Sequence, residues 1–463
     1  MTRAGLLLGA LLLTGCVVGP NYKRPDVPAP PQFRYGDPDG PGSIADTKWF
    51  NLFQDDVLTK LVNEALQQNF DLRIAAERVL QARAALGITR SQLYPQVNAS
   101  GEFESARTSK IGANTFIPRS AGTDVSFTQA GFSLGWELDV WGRIRRLTES
   151  ARAQYLASEE ARHGVITTLI SDVTSTYFDL RELDLELDIG RKTLDIAANS
   201  LRIVLARHTG GTATGLDVSQ AQQFLYTATA QIAATERSIG QTEDALSLLL
   251  GKSPSDIPRG KPLEGFATPP QVPAGLPSSL LERRPDIRET EQQLISANAQ
   301  IGAAKALYFP QITLTGFLGG QSRALTDLFT GPARQWDIIP AATAPIFTAG
   351  RLRSNVRLTE AEQREALISY QRTIQNAFRE VSDALIAYRK TTEQRSQEEQ
   401  LVSALMESDR LSTLRYRGGL DSYLQVLDAE RNLFQGQLVL AQLRRQELVS
   451  IVQLYRALGG GWQ

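Results

Sequence analysis

The sequence predicts a mainly α-helical chain with a membrane β-barrel portion, assembled from two copies of one unit in which a β-hairpin joins long helices. Three observations carry that prediction. None of the 21 prolines falls between Pro118 and Pro254 or after Pro345, so two stretches are free to form very long helices. Strings from the first half recur in the second at fixed offsets. Each half also holds segments in which apolar and polar residues alternate, the pattern of a strand with one apolar face.

Composition removes whole classes of function. At 463 residues, 42% apolar and 21% charged, the chain can bury a large core and is too apolar for disorder. Lys+Arg 49 nearly cancels Asp+Glu 50, which excludes a strongly basic nucleic-acid binder. The single cysteine, Cys16, and two histidines, His163 and His208, cannot build a disulfide framework or a Cys/His zinc cluster within one chain. Sites made only of carboxylates stay open, but none is singled out. No P-loop and no catalytic constellation emerges, so the chain reads as a non-enzyme with no catalytic, metal or cofactor residues to assign.

Residues 1–15 read as a lipoprotein signal peptide. Arg3 precedes an apolar run from Leu6 to Leu13, and Leu13-Thr14-Gly15-Cys16 looks like a bacterial lipobox. Cys16 then carries the covalent lipid and becomes the mature amino terminus. The apolar run is shorter than the roughly 20 residues that span a bilayer. Residues 16–56 hold seven prolines between Pro20 and Pro41 and form an extended linker.

The first repeat spans 57–253, with its β-hairpin at about 96–140. Val97, Ala99, Gly101 and Phe103 alternate with Asn98, Ser100, Glu102 and Glu104, and Ala130, Phe132, Leu134, Trp136, Leu138 and Val140 form the second apolar face. A polar loop, about Arg107 to Thr123, separates the two strands. Ile166, Val173, Leu180, Leu187, Leu194 and Leu201 then recur every seven residues. Ile170, Tyr177, Ala198 and Leu205 add a second stripe, interrupted by Asp184 and Arg191. The spacing predicts a helix from about Ile144 to about Arg207, on the order of 95 Å long. Residues 254–280 are a second Pro-rich linker with seven prolines between Pro254 and Pro277.

The second repeat, 281–463, is anchored by internal matches. Asn69 to Arg73 pairs with Arg284 to Arg288, and Leu93-Tyr94-Pro95-Gln96 with Tyr308-Phe309-Pro310-Gln311, both 215 residues apart. Gly142-Arg143 pairs with Gly350-Arg351 and Gly210-Gly211 with Gly418-Gly419, both 208 apart. A deletion of seven residues therefore lies between Gln311 and Gly350. The second hairpin falls at about 311–347, with Ile312, Leu314, Gly316 and Leu318 in one strand and a weaker strand near Ile338 to Phe347. Four strands cannot enclose a pore, since single-chain barrels begin at about eight. Three chains would supply twelve. The competing reading is a lipid-anchored periplasmic coiled-coil scaffold without a pore.

Four strings give the chain a resemblance to the TolC-like outer-membrane efflux factors, in the lipoprotein branch often called NodT or OprM type. They are Cys16-Val17-Val18-Gly19-Pro20-Asn21-Tyr22, Leu138-Asp139-Val140-Trp141-Gly142-Arg143, Glu282-Arg283-Arg284-Pro285-Asp286-Ile287 and Arg415-Tyr416-Arg417-Gly418-Gly419. The resemblance implies a homotrimer anchored in the outer membrane by lipid on Cys16. A twelve-stranded barrel would continue into a helical barrel across the periplasm, with an equatorial belt that includes 254–280 and the chain ends. It implies two protein partners, a periplasmic membrane-fusion adaptor and an inner-membrane pump of the proton-driven RND type. The cargo, whether drugs, dyes, organic acids or metal ions, is left open.

Both Gly pairs suit helix termination, because glycine adopts positive φ without strain. Gly210, Gly211, Gly418 and Gly419 are the expected helical tips for adaptor docking. Leu424, Asp428 and Arg431 lie at i, i+4 and i+7 after the second turn, whereas their counterparts Leu216, Gln220 and Gln223 carry no charge. The resemblance assigns Leu424, Asp428 and Arg431, with Arg415 and Tyr416 across the turn, to a periplasmic gate.

Overall fold

A computed structural model describes residues 17–36, 43–46, 48, 52–107, 109, 124–266, 273–275 and 277–461. Cys16, the signal segment, nearly all of the loop between the first two strands and part of the Pro-rich linker lie outside the described residues. The elements follow the repeat. Copy one runs α1 (Asp56–Gln68), α2 (Phe70–Ser91), β1 (Gln96–Arg107), β2 (Asp124–Leu138), α3 (Arg143–Thr209) and α4 (Gly215–Leu249). Copy two has a single helical turn at Leu280–Arg283, then α5 (Pro285–Ala306), β3 (Gln311–Ser322), β4 (Arg334–Thr343), α6 (Arg351–Arg417) and α7 (Tyr423–Ala457).

Paired helices have equal lengths. α2 and α5 each have 22 residues. α3 and α6 each have 67, and α4 and α7 each have 35. At 1.5 Å per residue the two longest reach about 100 Å. Among the described residues no helix is long and apolar enough to cross a membrane.

The chain divides into two compact units. The first gathers residues 1–26, 79–158 and 290–370. Its centre is one antiparallel sheet in the order β1-β2-β3-β4, so the hairpins of the two copies meet along β2 and β3. Register places Val97, Leu134, Gly316 and Ile338 in one row and Ala99, Phe132, Leu318 and Trp336 in another, on the same face. That face is open: Phe132 is 59% and Trp336 72% exposed. The opposite face carries rows such as Asn98, Ser133, Phe317 and Asp337. β1 and β4 are the edges, and neither outer edge has a partner strand among the described residues.

The weaker strand differs from expectation. β4 covers Arg334–Thr343 instead of Ile338 to Phe347, and Ile346 and Phe347 lie beyond it, 95% and 88% exposed. The reason is proline placement. Pro340 is tolerated on an edge strand, which needs no donor on its outer side, while Pro345 cannot extend the ladder.

The second unit gathers 27–78, 159–289 and 371–463. Its upper core joins Leu58, Leu61, Val62 and Ala65 of α1 to Val173, Tyr177, Phe178 and Leu180 of α3, closed by Leu246, Ile257, Leu263 and Leu448. Phe178 packs edge-on against Phe53 and Phe266 at 4.9 and 5.2 Å. Further along α3 the buried positions become Ile189, Ala197 and Val204, while Ala198 and Leu205 of the expected seam are exposed. α3 meets α1 and the 246–266 segment first and α4 and α7 later, so no single heptad stripe serves its whole length.

One buried carboxylate ties this core together. Asp55 caps α1 by accepting from the Val57 and Leu58 N–H groups at 2.8 and 3.1 Å. It also accepts from the Tyr177 hydroxyl at 3.1 Å and the Lys261 N–H at 2.9 Å. Burial opposes its ionisation, but these hydrogen bonds, led by Lys261, hold its pKa below the usual value. A depressed carboxylate contributes stability at neutral pH that is lost as pH falls through its folded value. Asp55→Ala is therefore expected to cost about 1–3 kcal/mol, and to flatten the acid limb of the stability curve, read from urea unfolding of the purified protein across pH.

Candidate functional site

The two helical turns of the second unit are built alike and locked differently. Gly211 and Gly419 adopt φ of +70° and +75°. This lets the Thr212 N–H donate back to Arg207 O at 2.9 Å and the Leu420 N–H to Arg415 O at 3.0 Å. In the first turn, Thr214 and Asp217 form a reciprocal cap, with the Thr214 N–H donating to the Asp217 carboxylate at 2.7 Å. Ser422, the equivalent residue, makes no such bond. Arg415 instead donates through Nε and Nη2 to Asp421 at 2.6 and 3.1 Å, closing the second turn with a two-point ion pair.

The five expected gate residues fall into three environments. Leu424, Asp428 and Arg431 share one open face of α7, with Leu424 52% exposed. Asp428 accepts from Asn432 Nδ2 at 3.2 Å, and Arg431 has no ion-pair partner among the described residues. Arg415 is held at the turn by Asp421. Tyr416 points inward: it is 7% exposed, lies 5.7 Å from Tyr423 between ring centroids, and is covered by the Arg207 guanidinium at 4.2 Å. His208, its repeat counterpart, bonds Ala213 O through Nδ1 at 2.9 Å on the surface.

Three further residues belong to this region and escape a motif search. Asp421 is visible only once Arg415 is known to need a partner, since its counterpart is Ala213. Glu430 interrupts the buried stripe Tyr423, Val426, Leu427, Phe434, and Asp409 faces inward from α6. A charge within an apolar stripe is the signal that would find Glu430.

In the first unit, the segment that follows Cys16 is strapped to the junction between sheet and helix. The Val18 N–H donates to Trp141 O at 3.1 Å, and Arg146 donates to Val18 O and Asn21 Oδ1 at 3.3 and 2.7 Å. Asn298 reaches Pro20 O at 3.0 Å, and Tyr22 and Arg24 both bond Glu291, at 3.1 and 2.8 Å. Gly19 and Gly302 make this fit possible, because a Cβ on Gly19 would lie 2.4 Å from Gly302 Cα. At the same junction Asp139 accepts from the Ile144 and Arg145 N–H groups at 3.0 and 2.8 Å, Glu137 pairs with Arg143 at 2.7 Å, and Trp141 donates to Pro310 O at 2.7 Å.

The outer membrane efflux protein family model matches residues 61–252 and 276–460, one segment in each repeat. The chain belongs to the outer membrane efflux protein family. The solvent efflux pump outer membrane protein SrpC of Pseudomonas putida is 40% identical, over 98% of this chain and 97% of its own. The cation efflux system protein CusC of Escherichia coli is 36% identical, over 98% and 97%. The crystal structure of the Campylobacter jejuni CmeC outer membrane channel superposes with a TM-score of 0.90 at 26% identity, over 96% of this chain and 95% of that one. This outer membrane efflux protein is thus a transport channel of the outer membrane, and its open apolar sheet face is the surface suited to lipid.

The turn glycines of this efflux protein give a direct test. Gly211→Ala and Gly419→Ala each place a side chain at positive φ and are expected to cost about 1–2 kcal/mol locally. Faster amide exchange confined to the altered turn is the expected readout.

Proposed function

We propose that this efflux protein is the passive exit duct of a tripartite system, acting as a homotrimer with a periplasmic membrane-fusion adaptor and an inner-membrane pump of the proton-driven RND type. The observation that carries the reading is the sheet. Four strands share one apolar face, neither outer edge has a partner strand among the described residues, and the edge donors and acceptors are satisfied in lipid only when siblings complete the ring. Three chains give twelve strands, wide enough for a water-filled lumen. A duct needs no reaction of its own, so the chain acts without enzymatic chemistry, cofactor or resident metal. The energy for transport comes from the pump.

Cys16 carries the covalent lipid in this reading. The strap from Val18 to Arg24 supports it, because it would hold the acyl chains within a few residues of the sheet, alongside the lipid-facing strands. The tips Gly210-Gly211 and Gly418-Gly419 receive the adaptor.

Leu424, Asp428 and Arg431 form the periplasmic gate. Three-fold symmetry turns Leu424 into an apolar ring and Asp428 into a carboxylate ring, with Arg431, which has no ion-pair partner among the described residues, available to bridge to a neighbouring chain. Arg415 and Tyr416 act from behind, Arg415 by fixing the turn through Asp421 and Tyr416 by seating the α6–α7 hairpin in the bundle.

Two measurements test these assignments. Leu424→Ala or Asp428→Ala is expected to raise the single-channel conductance of the trimer in a planar bilayer; unchanged conductance in both variants removes the gate from this face. Cys16→Ser is expected to abolish incorporation of labelled palmitate and to release the protein from outer-membrane fractions more readily.

A further inference from the structure

We propose that Glu430 and Asp409 form a proton-operated latch that fastens the second helical hairpin to α3. Glu430 projects from α7 into the tip bundle and is 5% exposed. Its Oε1 accepts from the Ser200 hydroxyl of α3 at 2.5 Å, while its Oε2 is buried without a hydrogen-bond partner. Asp409 of α6 adds a second carboxylate whose charge acts on Glu430, and Asp409 Oδ1 is likewise buried without a partner. A buried carboxylate of α7 therefore meets α3, with a second, half-buried acid of α6 acting on it.

Neither has an ion-pair partner among the described residues. On α3, Arg202 donates to Asn199 Oδ1 at 2.8 Å, and Arg207 lies over the Tyr416 ring and donates to Arg417 O at 3.2 Å. On α6, Arg410 pairs outward with Glu407 at 2.8 Å. On α7 Arg431 lies on the exposed face, and further ionisable groups here are Tyr416 and Tyr423, whose hydroxyls are also buried without partners, and Asp217 of α4, which acts on Tyr423. The first hairpin has nothing equivalent, since the counterparts of Glu430 and Asp409 are Gln222 and Leu201.

An uncompensated carboxylate in such a place is stable only when it holds its proton. Burial pushes Glu430 up to about 7 from an ordinary 4.5; the Ser200 hydrogen bond offsets part of this and the Asp409 charge adds to it. Because the packed state binds the proton more tightly than the loosened one, packing of the hairpin is fully strengthened below the ordinary value and loses that gain as pH rises through about 7. An acidic periplasm fastens the hairpin, and a neutral one frees it. The consequence for conduction, though not the latch itself, rests on the gate reading above.

Amide exchange of residues 405–430 in the intact trimer, corrected for intrinsic rates and followed from about pH 5.5 to about pH 8, tests the latch. Wild type is expected to lose protection several-fold across that range, Glu430→Gln to stay protected throughout, and Glu407→Gln, which alters only an exposed carboxylate of α6, to behave as wild type. If Glu430→Gln does not assemble, Asp409→Asn serves instead: removing the like charge is expected to move the transition to lower pH, and a transition that stays in place or moves to higher pH overturns the latch. A flat wild-type profile, or an unaltered transition in Glu430→Gln, overturns it. Exchange that follows pH while bilayer conductance does not leaves the latch standing and overturns its link to the gate.

Discussion

Unpaired backbone at the two outer strands is the constraint on which the rest depends. A strand edge in water can be solvated, but in hydrocarbon every unsatisfied N–H or C=O costs several kcal/mol. β1 and β4 each leave one such edge, and the apolar rows from Val97 to Ile338 and from Ala99 to Trp336 leave a face that water does not favour. In the proposed trimer, lipid solves the second problem and a neighbouring chain the first. A polypeptide of this kind is folded in its helices and incomplete in its sheet.

Duplication sets the economy of the design, and divergence between the copies supplies its function. Equal helix lengths keep the two halves in step, so that both Gly-Gly turns close with the same backbone hydrogen bonds. On that common frame, the first turn uses a neutral-to-acidic cap between Thr214 and Asp217, and the second an ion pair between Arg415 and Asp421. The charged face with Asp428 and Arg431 and the buried acids Glu430 and Asp409 occur in the second copy alone. In the proposed gate and latch, moving parts are thereby concentrated in one hairpin while its twin is a plain structural partner.

Much of this was legible from residues because the decisive signals are local. Proline distribution and the repeat offsets located the long helices, and alternation located three of the four strands to within a few residues. β4 was shifted because its apolar residues continue to Phe347 while the ladder stops at Thr343, a limit set by pairing with β3 and by Pro345. The strings that carried the family resemblance prove to be junctions: Val18 to Tyr22 strap onto Trp141, Arg146 and Glu291, Asp139 caps α3, and Arg284 bonds Asp286, Glu380 and Ala457 O. Tyr416 was harder to place, since sequence gives its position beside the turn but not whether its ring faces inward. The change of buried face along α3 was not legible either, because it depends on which helices lie alongside.

The seven-residue difference between the copies fell entirely within the sheet and its loops, and none of it in the paired helices. Adding one residue to a helix turns everything beyond it by about 100°, so α3 or α6 can be lengthened only at the expense of every contact downstream. A connection such as 323–333 bears no such restriction. Changes in chain length are therefore free to accumulate where the strands are joined and are purged from the helices, which makes those connections the natural ground for surface variation and the place to insert a tag.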